Sequence, residues 1–177
     1  MKKALYCLFL VFLVSCAEEQ NFDQFNDLSV VPTLATGVFY FESPEDIINQ
    51  APPGTFYIQT FTFEAFKEAF VSERVLDGTI TYQLENTTSK ELNLLVEFLD
   101  EMDTVLDSES FTIQPQPAPL IERQVAYGDT GKSLDIPKNT SKIRVTSENL
   151  GDTTSQSTAN EPKIILRSSA VFRVRLR

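Results

Sequence analysis

Thr79-Ile80-Thr81-Tyr82-Gln83-Leu84-Glu85 is followed, across Asn86-Thr87-Thr88-Ser89-Lys90, by Leu92-Asn93-Leu94-Leu95-Val96-Glu97-Phe98. Ile80, Tyr82 and Leu84 share one parity in the first run, and Leu92, Leu94, Val96 and Phe98 share one in the second. Successive side chains on a strand point to opposite faces, so each run reads as a strand with one apolar face. The Asn/Thr/Ser segment between them is turn chemistry. Such a pair cannot bury its apolar face alone and needs a second layer.

The same reading extends in both directions. Asp100-Glu101-Met102-Asp103 is the next turn, and a strand from Val105 to Ile113 carries an expected phase slip at Asp107 to Ser110. Pro115, Pro117 and Pro119 form an extended connection to a strand marked by Ile121, Val125 and Tyr127. Leu134-Asp135-Ile136 reads as a short strand stopped by Pro137, and Ile143 and Val145 mark the next. Glu148 to Pro162 is a long polar loop, and the last strand is expected from Lys163 to Arg177 with a kink at Ser168-Ser169. Toward the N-terminus, Gly37-Val38-Phe39-Tyr40-Phe41 is rich in strand formers. Ser43-Pro44-Glu45-Asp46 carries a helix-start pattern: a capping serine, proline at the first helical position and acids in the first turn. Phe56 to Phe70 reads as a strand passing into a short helix, with Phe63, Phe66 and Phe70 on one face. Many short strands with little helix predict a mainly β, antiparallel sandwich of about seven to nine strands with one or two short helices.

A resemblance adds to this. The run into Asn86-Thr87-Thr88, the strand ending Phe98-Leu99-Asp100 and the apolar-led strand after it resemble immunoglobulin-like FxLYD and late-embryogenesis-type modules over Thr79 to Ile113. It implies an immunoglobulin-like β-sandwich. The FxLYD pattern has a further tyrosine before the aspartate, which this chain lacks.

The first residues give an address. Lys2 and Lys3 precede an apolar run of eleven residues, Ala4 to Val14, closed by Leu13-Val14-Ser15-Cys16. The run is shorter than the roughly 20 residues a membrane-spanning helix needs, and it reads as a signal peptide over residues 1–15. The closing tetrapeptide resembles a lipobox, which implies lipid on Cys16 and a tethered protein. Residues 16–27 read as lipidated cysteine and acidic tether, and residues 28–177 as the sandwich domain. Ala17-Glu18-Glu19-Gln20 is similar to the short acidic export signal of flavobacterial-type surface lipoproteins. The whole chain resembles envelope lipoproteins of that type, which implies the outer membrane, on either its periplasmic or its cell-surface face. No functional residue carries over from that group.

Composition narrows the chemistry. Without Lys2 and Lys3, thirteen bases face twenty-five acids, a net charge of −12. That balance repels nucleic acid. There is no histidine and no tryptophan, and Met102 is the only methionine outside the signal segment. Cys7 leaves with the signal segment and Cys16 takes lipid. Zinc sites of Cys/His type and triads built on histidine are therefore excluded, and no cofactor is expected. Ala126-Tyr127-Gly128-Asp129-Thr130-Gly131-Lys132-Ser133 matches a relaxed P-loop pattern. Pro137 argues against the helix such a loop needs, and Asp129 would stand beside the phosphates, so no nucleotide is expected. Asp100, Glu101, Asp103 and Asp107 offer oxygen ligands for calcium or a turn of solvated acids. Carboxylate pairs for glycoside hydrolysis have no distinguishing spacing here. Seven of the twelve mature phenylalanines lie between Phe39 and Phe70 and either fill the core or expose a patch to a partner. Asp103-Thr104-Val105 and Asp152-Thr153-Thr154 resemble acceptors for O-glycosylation in flavobacterial-type exported proteins, the second in the more accessible loop.

These readings converge on a non-catalytic accessory or structural lipoprotein of a bacterial envelope complex. Its partners are the membrane, through Cys16, and another envelope or outer-membrane protein. The alternative is a surface module capturing glycan or peptide. In the last strand Phe172, Val174 and Leu176 are expected inward, and Arg173, Arg175 and Arg177 outward. That arginine row is either paired with acids such as Glu85 or Glu97 or free as a docking edge for an acidic partner.

Overall fold

The computed structural model describes residues 29–52 and 54–176. The signal segment, Cys16, the tether and Arg177 lie outside the described residues. Eight strands form: β1 (Thr33–Pro44), β2 (Gly54–Thr62), β3 (Val75–Asn86), β4 (Leu92–Leu99), β5 (Val105–Ile113), β6 (Ile121–Tyr127), β7 (Lys142–Asn149) and β8 (Lys163–Val174). Three short helices interrupt them: α1 (Glu45–Gln50), α2 (Ala69–Ser72) and α3 (Asp135–Asn139). The strands make two four-stranded antiparallel sheets, ordered β1-β8-β3-β6 and β2-β7-β4-β5. The expected antiparallel β-sandwich is present.

The order of strands has a simple origin. First pairs with last, second with seventh, third with sixth and fourth with fifth. That is one long hairpin rolled up so that successive pairs alternate between sheets, the arrangement of an eight-stranded jelly roll. Alternation along each strand supplies the core: β4 runs buried at Leu92, Leu94, Val96 and Phe98, and β3 at Ile80, Tyr82 and Leu84. The sheets meet on these faces, with Tyr82 against Phe111 at 5.3 Å. Rolling gathers the loops at two ends. One end holds α1 and the β3–β4, β5–β6 and β7–β8 loops; the other holds α2, the β4–β5 turn, α3, the start of β1 and the end of β8.

Several local expectations are corrected. Leu134-Asp135-Ile136 is not a strand: Asp135 opens α3, and Pro137 sits in its first turns, where a missing N–H costs little. Ser133 Oγ accepts the Asp135 N–H at 3.1 Å and starts that turn. Pro44, rather than Ser43, is the residue before α1; Ser43 still belongs to β1 and is buried. Phe63 and Phe66 are buried but precede α2, and Phe70 is exposed with Arg74 over its ring at 4.3 Å. The slip in β5 lies at Leu106, between the pairs Phe98–Asp107 and Leu99–Val105. From there Asp107, Glu109, Phe111 and Ile113 hold one inward parity. The kink at Ser168-Ser169 is absent from β8; the irregularity is a bulge at Val38 on the facing β1. β8 ends at Val174, where its pairing with β3 ends, so Leu176 is exposed rather than core.

Candidate functional site

The arginine row was the site expected from sequence. Arg173 and Arg175 are indeed exposed, while Phe172 and Val174 are buried. Arg173 is already engaged: its guanidinium donates twice to the Asp77 carboxylate on β3, with Nε at 2.8 Å from Oδ1. This pairing holds the Asp77 carboxyl below its usual range. The partner is Asp77, not Glu85 or Glu97: Glu85 faces Arg167 at 4.0 Å and Glu97 takes Arg144 at 2.7 Å. Arg177 lies outside the described residues. The row is thus paired within the sheet at Arg173.

The second constellation stands where β5 and β6 border the sandwich. Lys132 Nζ lies 2.6 Å from Asp107 Oδ2 and 2.7 Å from Glu109 Oε1. Arg123 on β6 reaches Glu109 at 3.2 Å, donates to the Ser110 carbonyl at 3.1 Å and covers the Phe111 ring. The lysine of the P-loop-like segment is therefore held by two carboxylates. Its loop doubles back on β6, with the Lys132 N–H on Ala126 O at 2.8 Å and the Gly128 N–H on Lys132 O at 2.9 Å. Gly128 has φ +109°, open to glycine, and a side chain on Gly131 would collide with the Ala126 carbonyl. Beneath this cover lie Tyr82 and Tyr127, both buried, whose hydroxyls have no hydrogen-bond partner among the described residues. Burial, with the nearby acids, pushes both phenols far above their ordinary range.

The end bearing α1 is knitted by buried polar groups. Lys90 is fully buried, with Nζ 2.9 Å from Asp152 Oδ1 and 2.6 Å from the Ser155 carbonyl. Hydrogen bonds from the Ser155 N–H, Lys90, the Ser155 hydroxyl and the Thr154 N–H hold the Asp152 carboxyl far below its usual range. Glu45, also buried, accepts the Ser89 N–H at 2.7 Å and the Ser157 N–H at 2.8 Å. Burial raises its pKa, but these bonds, the Ser89 hydroxyl and Lys90 outweigh it and leave the carboxyl lowered. The β7–β8 loop is thus fastened to α1 and the β3–β4 loop, and Thr153 is half-buried while Thr104 is exposed, the reverse of the expected accessibility. Beside the network lies a groove of about 620 Å³ bordered by Glu42, Glu45, Asp46 and Glu161, with Lys163 in the same lining paired to Glu42 at 3.2 Å.

At the opposite end a groove of about 890 Å³ has Phe63, Phe66, Met102 and Leu106 in its lining and Lys67, Lys138, Lys142, Glu64 and Glu101 among its charged residues. Met102 is 83% exposed. The acids considered for calcium separate here: Asp100 accepts the Met102 and Thr104 N–H groups, Asp103 pairs with Lys142, and Asp107 with Lys132. No cluster of three metal-ligating side chains occurs among the described residues. Neither groove was anticipated from sequence; the lone Met102 inside an acidic turn was the one available signal.

No protein-family model matches the chain, and no curated protein sequence does. Among solved structures it is similar to VP2 of the infectious bursal disease virus subviral particle, at 10% identity and TM-score 0.38, covering 84% of this chain and 33% of that one. A Bacillus endospore appendage of the disulfide-linked pili matches at 6% identity and TM-score 0.38, covering 90% of this chain and 96% of that one. The enzymatically active domain of tailspike protein 4 of bacteriophage CBA120 matches at 12% identity and TM-score 0.34, covering 78% and 19%. The chain thus spans about a third of the length of the VP2 chain it matches. Similarity at this level transfers no function.

Proposed function

We propose that this chain is a non-catalytic accessory lipoprotein of a bacterial envelope complex, held to the outer membrane by lipid on Cys16, and that its sandwich binds another envelope protein. The supporting observation is the groove in which exposed Met102 and half-buried Leu106 stand over the buried Phe63 and Phe66. Apolar surface framed by charge favours association with protein, and a flexible methionine adapts to a partner surface. The groove opens at the end of the sandwich where β1 begins.

Pull-down from detergent-solubilised membranes with the full-length protein tests this reading. A stoichiometric partner is expected, and Met102→Glu should remove it without altering the thermal midpoint. Recovery unchanged in Met102→Glu, or no partner at all, overturns the groove's role. Cys16→Ala should move the protein out of the membrane fraction; retention after a high-salt wash overturns the lipid anchor.

A second reading, a surface module capturing peptide or glycan, is favoured by the carboxylate-bordered groove at the other end. Its charge suits a basic peptide better than a neutral glycan. Titration with a short lysine-rich peptide, on the native protein and on Glu161→Gln, tests it: saturable binding weakened by the variant supports capture, and no binding rejects it.

A further inference from the structure

We propose that the edge of β2, open among the described residues, pairs with β2 of a second copy of this chain, joining two β2-β7-β4-β5 sheets into one continuous antiparallel sheet. A bare sheet edge is a template for another strand unless charge, proline, bulges or a cover protects it. The four edge strands differ sharply. β5 carries the inward carboxylates Asp107 and Glu109, and Arg123 of β6 caps one of its carbonyls. β6 carries Glu122 and Arg123. β1 carries Glu42, ends in Pro44 and bulges at Val38. β2, Gly54-Thr55-Phe56-Tyr57-Ile58-Gln59-Thr60-Phe61-Thr62, has no charge and no proline; its one bulge, at Phe56, lies near its start, and it pairs regularly with β7 from Tyr57 to Thr62.

The occupant follows from the residues on that strand. Ile58 points to the outer face in register with Thr146 and Leu95, yet it is 63% exposed, the largest value among the aliphatic side chains of the strands. Antiparallel self-pairing centred on Ile58 sets Ile58 beside its own copy and Tyr57 opposite the partner copy's Gln59. Every pair so formed is neutral. A chain of net charge −10 therefore meets itself without opposing like charges across the new ladder. The pairing also terminates. It is isologous, so it uses β2 of both copies, and the joined sheet then ends on β5 at each side, where inward acids block further addition. A closed dimer results and a fibre does not.

The test uses the full-length protein in detergent. Sedimentation should give a dimer, and Ile58→Cys should form an intermolecular disulfide under mild oxidation, because directly opposed residues bring their Cα atoms within bonding range. Ile58→Lys sets two ammonium groups at the two-fold and should weaken dimerisation at least tenfold while the thermal midpoint of the monomer stays unchanged. Ser108→Lys on β5 should leave the dimer intact. A monomer at about 100 µM protein, a dimer insensitive to Ile58→Lys, or capture of a different protein's strand at this edge overturns the proposal. None of these outcomes depends on Met102, so its failure is separable from that of the envelope-partner reading.

Discussion

Where β1 lies over β2, Phe39 stacks on Phe61 at 5.5 Å and Phe41 packs on Tyr57 at 4.1 Å. Where β5 lies over β6, the sheets are laced by Lys132, Asp107, Glu109 and Arg123 above two tyrosine hydroxyls that have no partner among the described residues. Both borders close the same sandwich. The first does so with aromatic area, which needs no partner geometry and leaves the β2 edge without charge. The second uses charge, which demands mutual satisfaction but guards the edges. A rolled hairpin has two open sides, and this chain seals one for packing and the other against association.

The comparison breaks first at Phe41. Its ring is 2% exposed and holds β1 on β2. Phe41→Ala should cost about 3–5 kcal/mol, the range for a buried phenylalanine truncated in a core that cannot collapse. Urea denaturation measures it. A loss below about 1 kcal/mol would mean that the aromatic border is dispensable.

Lys132 is the corresponding member of the charged border. Lys132→Met should leave the inward-facing Asp107 without its cation and Glu109 with Arg123 alone. The expected loss is about 2 kcal/mol at pH 7. Urea denaturation at pH 7 measures it. A loss below about 0.5 kcal/mol would show that the lysine acts only through packing of its stem.

Ionisation sharpens the contrast from the alkaline side. Tyr82 and Tyr127 have folded values raised well above the ordinary value near 10. A raised group contributes stability that is fully present below its unfolded value and is lost as pH rises toward the folded one. Stability should therefore fall above about pH 10, by about 1.4 kcal/mol per pH unit for each phenol. Absorbance near 295 nm should show these two phenols ionising only with unfolding. Titration of both in the folded protein would mean that the charged border admits solvent.

The strand pattern was legible because period-two alternation is local: β3 and β4 declare their buried faces residue by residue. The order of strands was not, since rolling a hairpin leaves no mark within any single strand, and the resemblance over Thr79 to Ile113 pointed to an immunoglobulin-like sandwich rather than to the order β1-β8-β3-β6 and β2-β7-β4-β5. α3 was misread because Leu134-Asp135-Ile136 has strand-like alternation over three residues, while the deciding Ser133 turn is a side-chain contact. Phe172 and Val174 were placed correctly, and Leu176 was not, because strand ends depend on where neighbours stop. The candidate sites were least legible. Asp107 reads from sequence as one of a turn of solvated acids and Glu109 lies inside the expected phase slip, whereas the bulge at Leu106 turns both inward, and the lysine that pairs them lies 25 and 23 residues away. The bare edge of β2 was visible as a run without charge, but its significance required knowing that β2 ends a sheet.

The smallest effect is the most discriminating. Tyr82 is fully buried, and its hydroxyl has no partner among the described residues. A buried hydroxyl without a hydrogen bond carries a desolvation cost, and removing it leaves no other group orphaned. Tyr82→Phe keeps the ring against Phe111 and deletes only that oxygen. The variant should be as stable as the native protein or more stable by up to about 1 kcal/mol, measured by urea denaturation at pH 7. It should also lose its share of the alkaline dependence. If it is destabilised by more than about 1 kcal/mol, the hydroxyl is bonded in solution, to the Asp107 and Glu109 carboxylates or to water between them. The charged border would then be a network continuous with the core, and the two borders would differ in polarity but not in how completely they satisfy their own groups.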